Sequence, residues 1–488
     1  MLQSIVFGCL LLFAGFSAEA KPTLVADFET ARAKLEASFV PKWMVFAKDA
    51  NKKKAFATRN RCYQAILSID SEHVAARLGL KYKRVDGEWI QSGSKRQPKD
   101  AKSNSIKKLS ATIDASFVEY RDGVLALIES RAEELGPVAV VTAQKRLLSL
   151  DPNSTFIHGL LGETKFRDQW MLTETASAIE RREALRNNAK AHFDALSIPA
   201  RAKPDGFEVE LGIDWTAGFA TDRVRVFGTA EVDEIEQILR AAHAMDELVF
   251  EACGRRVGLD LNFTLYSFAN ADDVGRLFDH LPMVRNNSSA AITDATGGWL
   301  GIDSRFGNWS LDRPRRVDGS IRGVVSQYMK NGFRINLRHG WASEGFGLYL
   351  VEAMVGTRLT WFKKEGRYVE EGAVAGKEEF SLESQELNWM VEGREMLLAP
   401  DAPHLGALIG RPVGTMSARD LLHAYLLASY LIEGRPDEVP VLLDAIGNGG
   451  NPTKSFERVL GEALPNIETR LLRWVVEVSQ YEENKLAK

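Results

Sequence analysis

The sequence predicts an α+β protein, with a helical N-terminal domain, then a small mixed sheet with helices, then a helical C-terminal part. Three observations predict it. Residues 21–200 are charged and helix-patterned, with few strand signals. Past Pro204-Asp205-Gly206 the pattern changes to short strand-like runs at Phe207 to Ile213, Asp222 to Gly228, Leu259 to Phe268 and Gly298 to Asp303. Residues 386–488 return to helical periodicity. The expected divisions are 1–20, 21–203, 204–362 and 363–488.

At 488 residues the chain exceeds what one hydrophobic core usually serves, so two or three domains are expected. The net charge of −4 and a pI near 6.2 give no global signal for nucleic acid or an anionic membrane. Residues 1–20 read as a secretory leader: Ile5 to Phe16 is apolar and Ala18-Glu19-Ala20 is an A-x-A cleavage site. Met1 to Ser4 departs from that pattern in lacking Lys or Arg. The expectation is export, periplasmic or extracellular, with no membrane span after cleavage. Cys9 sits at the front of the apolar run, where a lipid anchor is not expected. Cleavage leaves Cys62 and Cys253, which could pair in an oxidising compartment but sit in helical apolar patterns that favour burial as free thiols.

The helical region holds an internal repeat. Leu67-Ser68-Ile69-Asp70 is followed by Trp89, and Leu148-Ser149-Leu150-Asp151 by Trp170, the copies lying 81 residues apart. Each copy reads as a helix ending at the Asp, a second helix, and an extended turn ending on the Trp. Asp70-Ser71-Glu72 and Asp151-Pro152-Asn153 suit the turn between the two helices. The unit resembles a tetratricopeptide-like helical hairpin, although its period is longer and two copies make no solenoid. Its Trp residues are expected in the core, with a peptide groove as the alternative.

After the Pro204 boundary, Glu231 to Cys253 carries Ile235, Ile238, Leu239, Ala242, Met245, Leu248 and Val249 at helical spacing. Ser320 to Met329 is a further helical segment, and then His339-Gly340-Trp341-Ala342-Ser343-Glu344-Gly345-Phe346-Gly347-Leu348-Tyr349 opens an apolar helix. The Trp-x-x-Glu-Gly-x-x-x-Tyr run resembles the second metal-binding helix of gluzincin-type (peptidase MA-like) zinc metallopeptidases. The order of elements over roughly residues 205–480 is similar to that family's layout. The resemblance implies a thermolysin-like domain in which Glu344 stands where the third zinc ligand belongs, with Trp341 and Tyr349 beside it.

The other half of that motif is absent. An HExxH helix supplies two His on one face and a Glu that activates water, yet no His or Glu occurs from 304 to 338. The best register places Arg322 and Ser326 where the two His belong, and Gly323 where the catalytic Glu belongs. Arg offers only donors and stays charged, Ser is a poor zinc ligand, and Gly supplies no base. No metal, cofactor or catalytic residue is therefore expected at this relic site. Without a metal, Glu344 needs another cation: a bidentate pair with Arg322 is one reading, with Arg334 and Arg338 as alternatives, and a helix-dipole carboxylate is the other.

Other candidates are weaker. His339 and Glu344 are five apart, with His339 expected to precede the helix. No Gly-x-Ser-x-Gly elbow is present, and Gly447 to Pro452 lacks the Lys-Ser/Thr ending of a phosphate loop. The basic run from Arg313 to Arg338 is either a solvated face or the lining of an anion cleft. The implied function is a non-catalytic one, a peptide or protein ligand or a scaffold. The alternative is a hydrolase with a non-standard site. Oligomeric state is not encoded in any pattern here.

Overall fold

The computed structural model describes residues 22–92, 99–197, 200–260, 263–280, 297–302, 304–359 and 387–486. The expected leader, the Ile198-Pro199 step, Leu261, Asp303 and the polar stretch at 363–385 lie outside the described residues. The chain is mixed α and β, and divides into two compact units, Met1–Thr173 and Glu174–Lys488. The compositional boundary at 203 thus falls inside the second unit.

The first unit is built from α1 (Pro22–Lys52), α2 (Phe56–Ile69), α3 (Val74–Gly79), the ribbon β1 (Tyr82–Val85) and β2 (Glu88–Gln91), α4 (Asn104–Glu129), α5 (Ala132–Leu148), α6 (Thr155–Leu160), and the ribbon β3 (Glu163–Phe166) and β4 (Gln169–Leu172). Its core gathers Phe28, Trp43 and Ala47 of α1, Cys62 and Ile66 of α2, and Ile113, Phe117 and Val124 of α4. Trp43 meets Phe117 edge-on at 5.1 Å, and its indole donates to Ser116 at 3.1 Å.

The repeat is structural. A helix, a short helix and an antiparallel ribbon recur with the 81-residue offset, and the local hydrogen bonds recur with them. Asp70 Oδ1 accepts the Glu72 amide at 3.1 Å, as Asp151 Oδ1 accepts the Asn153 amide at 3.2 Å. His73 and Ser154 cap the short helices through the amides of Ala76 and Ile157. Ser92 and Thr173 each close a ribbon, by backbone and hydroxyl, on the carbonyls of Lys81 and Gly162. Both ribbons turn through two left-handed residues, Asp86-Gly87 and Arg167-Asp168, the geometry that two-residue hairpins favour. The ending on a ribbon sets the unit apart from a purely helical hairpin.

The second unit begins with α7 (Thr173–Ala195), then β5 (Ala200–Arg201), α8 (Gly206–Glu210), β6 (Ala217–Ala220), β7 (Arg225–Gly228), α9 (Val232–Cys253), β8 (Thr264–Phe268), α10 (Ala271–Asp279), β9 (Gly297–Ile302) and β10 (Arg305–Ser310). Among the described residues these strands form one mixed sheet in the order β5-β6-β7-β8-β10-β9, with parallel pairs at β7–β8 and β8–β10. Six further helices complete the part that matters here: α11 (Arg313–Phe333), α12 (Gly340–Val355), α13 (Trp389–Leu398), α14 (Leu405–Ile409), α15 (Ala418–Gly434) and α16 (Val439–Gly447). Two more, α17 (Pro452–Leu460) and α18 (Leu464–Leu486), end the chain's described part.

Several elements depart from their pattern. Phe207 to Ile213, expected as a strand, is the short helix α8 and its exit. Phe207 and Leu211, four apart, turn together toward Tyr266 and Phe268, which suits a helical turn. The strand expected from Leu259 starts only at Thr264. β10 was not foreseen because Gly307 and Asn308 are poor strand formers. Asn308 is fully buried there and donates from Nδ2 to the Arg316 carbonyl at 2.8 Å, so tertiary pairing outweighs propensity.

Cys62 and Cys253 are free and buried, with burial pushing each thiol up to about 12. Among the described residues, no helix is long and apolar enough to cross a membrane.

α7 belongs to the second unit because its arginines are consumed there. Arg182 is almost wholly buried, donates to Glu433 Oε1 at 2.7 Å, and also pairs with Glu482. These carboxylates hold its pKa well above the usual value against the opposing effect of burial. Removing one partner of a buried pair leaves the other unbalanced, at a cost of about 3–5 kcal/mol. Arg182→Met is expected to lower the unfolding free energy of the second unit, read by urea denaturation, by that order, and Arg182→Met with Glu433→Leu to recover part of it.

Candidate functional site

The residues singled out by the sequence lie on two packed helices. Asp312 caps α11, accepting the Arg315 amide at 2.8 Å, and Pro314 sits in its first turn. α11 ends at Arg334 in the left-handed region (φ 58°). α12 opens after His339 and stops at Gly356, also left-handed (φ 76°), a common glycine role at helix ends.

Arg322 and Glu344 come together. Arg322 Nη1 donates to Glu344 Oε2 at 3.1 Å, while its Nε donates to Asp318 Oδ1 at 2.9 Å. A third guanidinium contact goes to the Leu359 carbonyl. The pair with Glu344 is therefore single rather than bidentate, because the fork is shared among three acceptors. Asp318 is wholly buried and also accepts the Thr357 hydroxyl at 2.7 Å. Sequence reasoning did not single out Asp318 or Thr357. The available signal was the i, i+4 spacing of Asp318 and Arg322 on one helical face.

Ser326, one turn beyond Arg322, is exposed and is not part of this cluster. Gly323 faces the sheet. A Cβ placed on it would lie 2.5 Å from the Phe306 ring of β10, and one on Gly319 would lie 2.8 Å from Asn308. The small face Gly319-x-x-x-Gly323 thus brings α11 down on β10, with Phe306 filling the space a longer side chain at 323 would need.

The run opening α12 is explained by packing. A Cβ on Gly345 would lie 2.3 Å from the Ala424 carbonyl oxygen, so glycine permits close approach of α12 to α15. Trp341 is fully buried against Phe456 at 5.1 Å. Tyr349 is buried with its hydroxyl near Glu433, Arg182 and Arg186, and burial raises its pKa well above the usual range. Neither ring lines an open cleft.

The basic run of α11 is largely paired. Arg316 is buried and fully bidentate to Glu234, at 2.8 Å on both arms, and Arg313 reaches Asp233 at 2.7 Å. Arg334 goes to Asn448 rather than Glu344. His339 sits just before α12, where its Nδ1 accepts the Asn336 amide at 3.2 Å. Among the described residues, no group of three or more His, Cys, Asp or Glu is arranged to hold a metal ion.

A separate cleft of about 250 Å³ lies in the second unit, lined by His192 in the last turn of α7, Ser197 just after it, Arg223, and His243 and Glu247 of α9. His192 Nε2 pairs with Glu251 at 3.0 Å. Nothing in the sequence marked these residues, which are far apart along the chain. No family model, curated protein or solved structure matches this chain.

Behind α12, His423 of α15 is fully buried and neither ring nitrogen has a hydrogen-bond partner. Burial holds its pKa down at about 4, with Asp420 opposing. The unfolded chain takes up a proton first as pH falls below the ordinary histidine value of about 6.5, so this contribution is complete above that pH and is lost toward 4. The full span is worth about 3 kcal/mol. His423→Leu should flatten the fall in melting temperature between those limits relative to the unchanged protein. At the α11–β10 contact, Gly323→Glu, which restores the missing acid, is expected to cost about 2–4 kcal/mol by overpacking Phe306. Chemical denaturation reads that loss, and a peptidase assay should show no activity gained.

Proposed function

We propose that this chain is an exported, catalytically inactive metallopeptidase-like protein. Its second unit is a thermolysin-like domain with a degenerate zinc site, and it works as a scaffold or by holding a peptide or protein. The observation that carries this reading is the Arg322 guanidinium lodged among Asp318, Glu344 and the Leu359 carbonyl. An arginine cannot ligate a metal, and Gly323 supplies no carboxylate to activate water. Burial of Trp341 and Tyr349 favours scaffolding over a peptide held against those two rings.

One observation favours the rival, a hydrolase with a non-standard site. Ser197 and His192 line the same cleft, and Glu251 stands behind His192 as a third group would in a nucleophile–base–carboxylate set.

Metal analysis of the purified chain and of Glu344→Ala tests the first reading. It is expected to return no stoichiometric zinc in either protein and no hydrolysis of casein. Stoichiometric zinc that disappears in Glu344→Ala would contradict it. Hydrolysis of an activated ester that is abolished by Ser197→Ala would support the rival.

A further inference from the structure

Lysines from three chain segments meet at one end of the first unit. Helices α1 and α4 run antiparallel, since Tyr120 donates to Glu36 and, further along α1, Trp43 donates to Ser116. The C-terminal end of α1 therefore lies beside the start of α4. The start of α2 joins them: Asp100, on the approach to α4, accepts the Ala57 and Thr58 amides at 2.6 and 3.1 Å. Arg59 of α2 reaches back to Asn51 Oδ1 of α1 at 2.9 Å. Lys52 and Lys54, Lys99 and Lys102, and Lys107 and Lys108 are thus brought to one end, and all six are exposed.

Acidic residues are scarce there. Residues 50–69 hold no Asp or Glu, and Asp100 is engaged by the amides of α2. Lys53 pairs with Asp49 at 2.8 Å, but among the described residues none of the six has an ion-pair partner. The N-termini of α2 and α4 add the positive ends of their dipoles. The whole chain carries a net charge of −4, so this end is a positive surface on an acidic protein. Like charges gathered in this way repel one another, and an anionic partner relieves the repulsion.

The side chains select among anionic partners. Lysine is a point charge that follows a diffuse negative field, whereas nucleic acid is read by arginine forks and open aromatic faces. Arg59 is held by Asn51 and Asn60, and its guanidinium covers the Phe56 ring at 5.1 Å from the centroid. Phe56 is still 37% exposed, an apolar edge among lysines that suits the boundary between lipid headgroups and acyl chains. We infer that this end of the first unit is a docking surface for the anionic headgroups of a phospholipid bilayer. The lysines supply the attraction and Phe56 a shallow apolar foothold. This surface does not depend on the state of the Arg322 cluster.

Flotation of the full chain with vesicles tests it. Binding is expected to vesicles of phosphatidylglycerol and phosphatidylcholine in equal parts, and not to phosphatidylcholine alone. It should fall steeply as salt is raised from about 0.05 to about 0.5 M. Lys52→Gln, Lys54→Gln, Lys99→Gln and Lys102→Gln combined should weaken binding at least about ten-fold. The same exchange at Lys34, Lys83, Lys330 and Lys454, exposed lysines outside these three segments, lowers the net charge equally and should leave binding nearly unchanged. Equal binding by the two variants, or binding to phosphatidylcholine alone as strong as to the anionic vesicles, would overturn the inference. So would tighter binding to single-stranded DNA than to the anionic vesicles, which would assign these lysines to nucleic acid.

Discussion

The second unit depends on one buried charge balance, that of Arg322 against Asp318 and Glu344 where α11 crosses α12. A buried carboxylate without a cation is costly, and two of them facing one another would be more so. One guanidinium reaches both, and another of its N–H groups goes to the Leu359 carbonyl just after α12. This contact ties together the two helices and the segment leaving the second of them. The close seating of α11 on the sheet through Gly319 and Gly323, and of α12 on α15 through Gly345, holds the three helices at the distance the ion pair requires.

Two turns further along, α12 repeats the device. Glu352, two turns after Glu344, is nearly buried and accepts from Arg186 of α7 at 2.9 and 3.0 Å, with Arg358 at 3.4 Å. Tyr425 of α15 donates to the same carboxylate at 3.3 Å. An apolar helix thus carries two carboxylates, each matched by an arginine from a neighbouring helix. Such buried pairs add little net stability over apolar packing, but breaking one is expensive, so they fix which helices can sit together.

Much of this was legible in the sequence, and the reasons for the rest are physical. Helix α9 was clear because its apolar positions follow one face without interruption. The repeat was visible through Asp and Trp spacing, but the rings were expected in the core and instead sit on the ribbons, where Trp89 and Trp170 are only half-buried. The Arg322–Glu344 contact followed from asking what cation a carboxylate at 344 could have. Asp318 was hidden because one acidic residue in a helix looks like surface. Trp341 and Tyr349 stand beside Glu344 in the motif, yet as large rings they belong to the core. The boundary at 203 marked a change of pattern, whereas α7 joins the second unit through Arg181, Arg182 and Arg186, whose partners lie 70 to 300 residues further on.

The most direct measurement is a double-mutant cycle by chemical denaturation, with Arg322→Met, Glu344→Gln and the two combined. The account predicts that the double variant is more stable than the sum of the single losses allows, with a coupling of about 1–3 kcal/mol. Losses that simply add would mean that Arg322 and Glu344 do not balance one another, and the charge at the centre of the unit would have to be sought elsewhere.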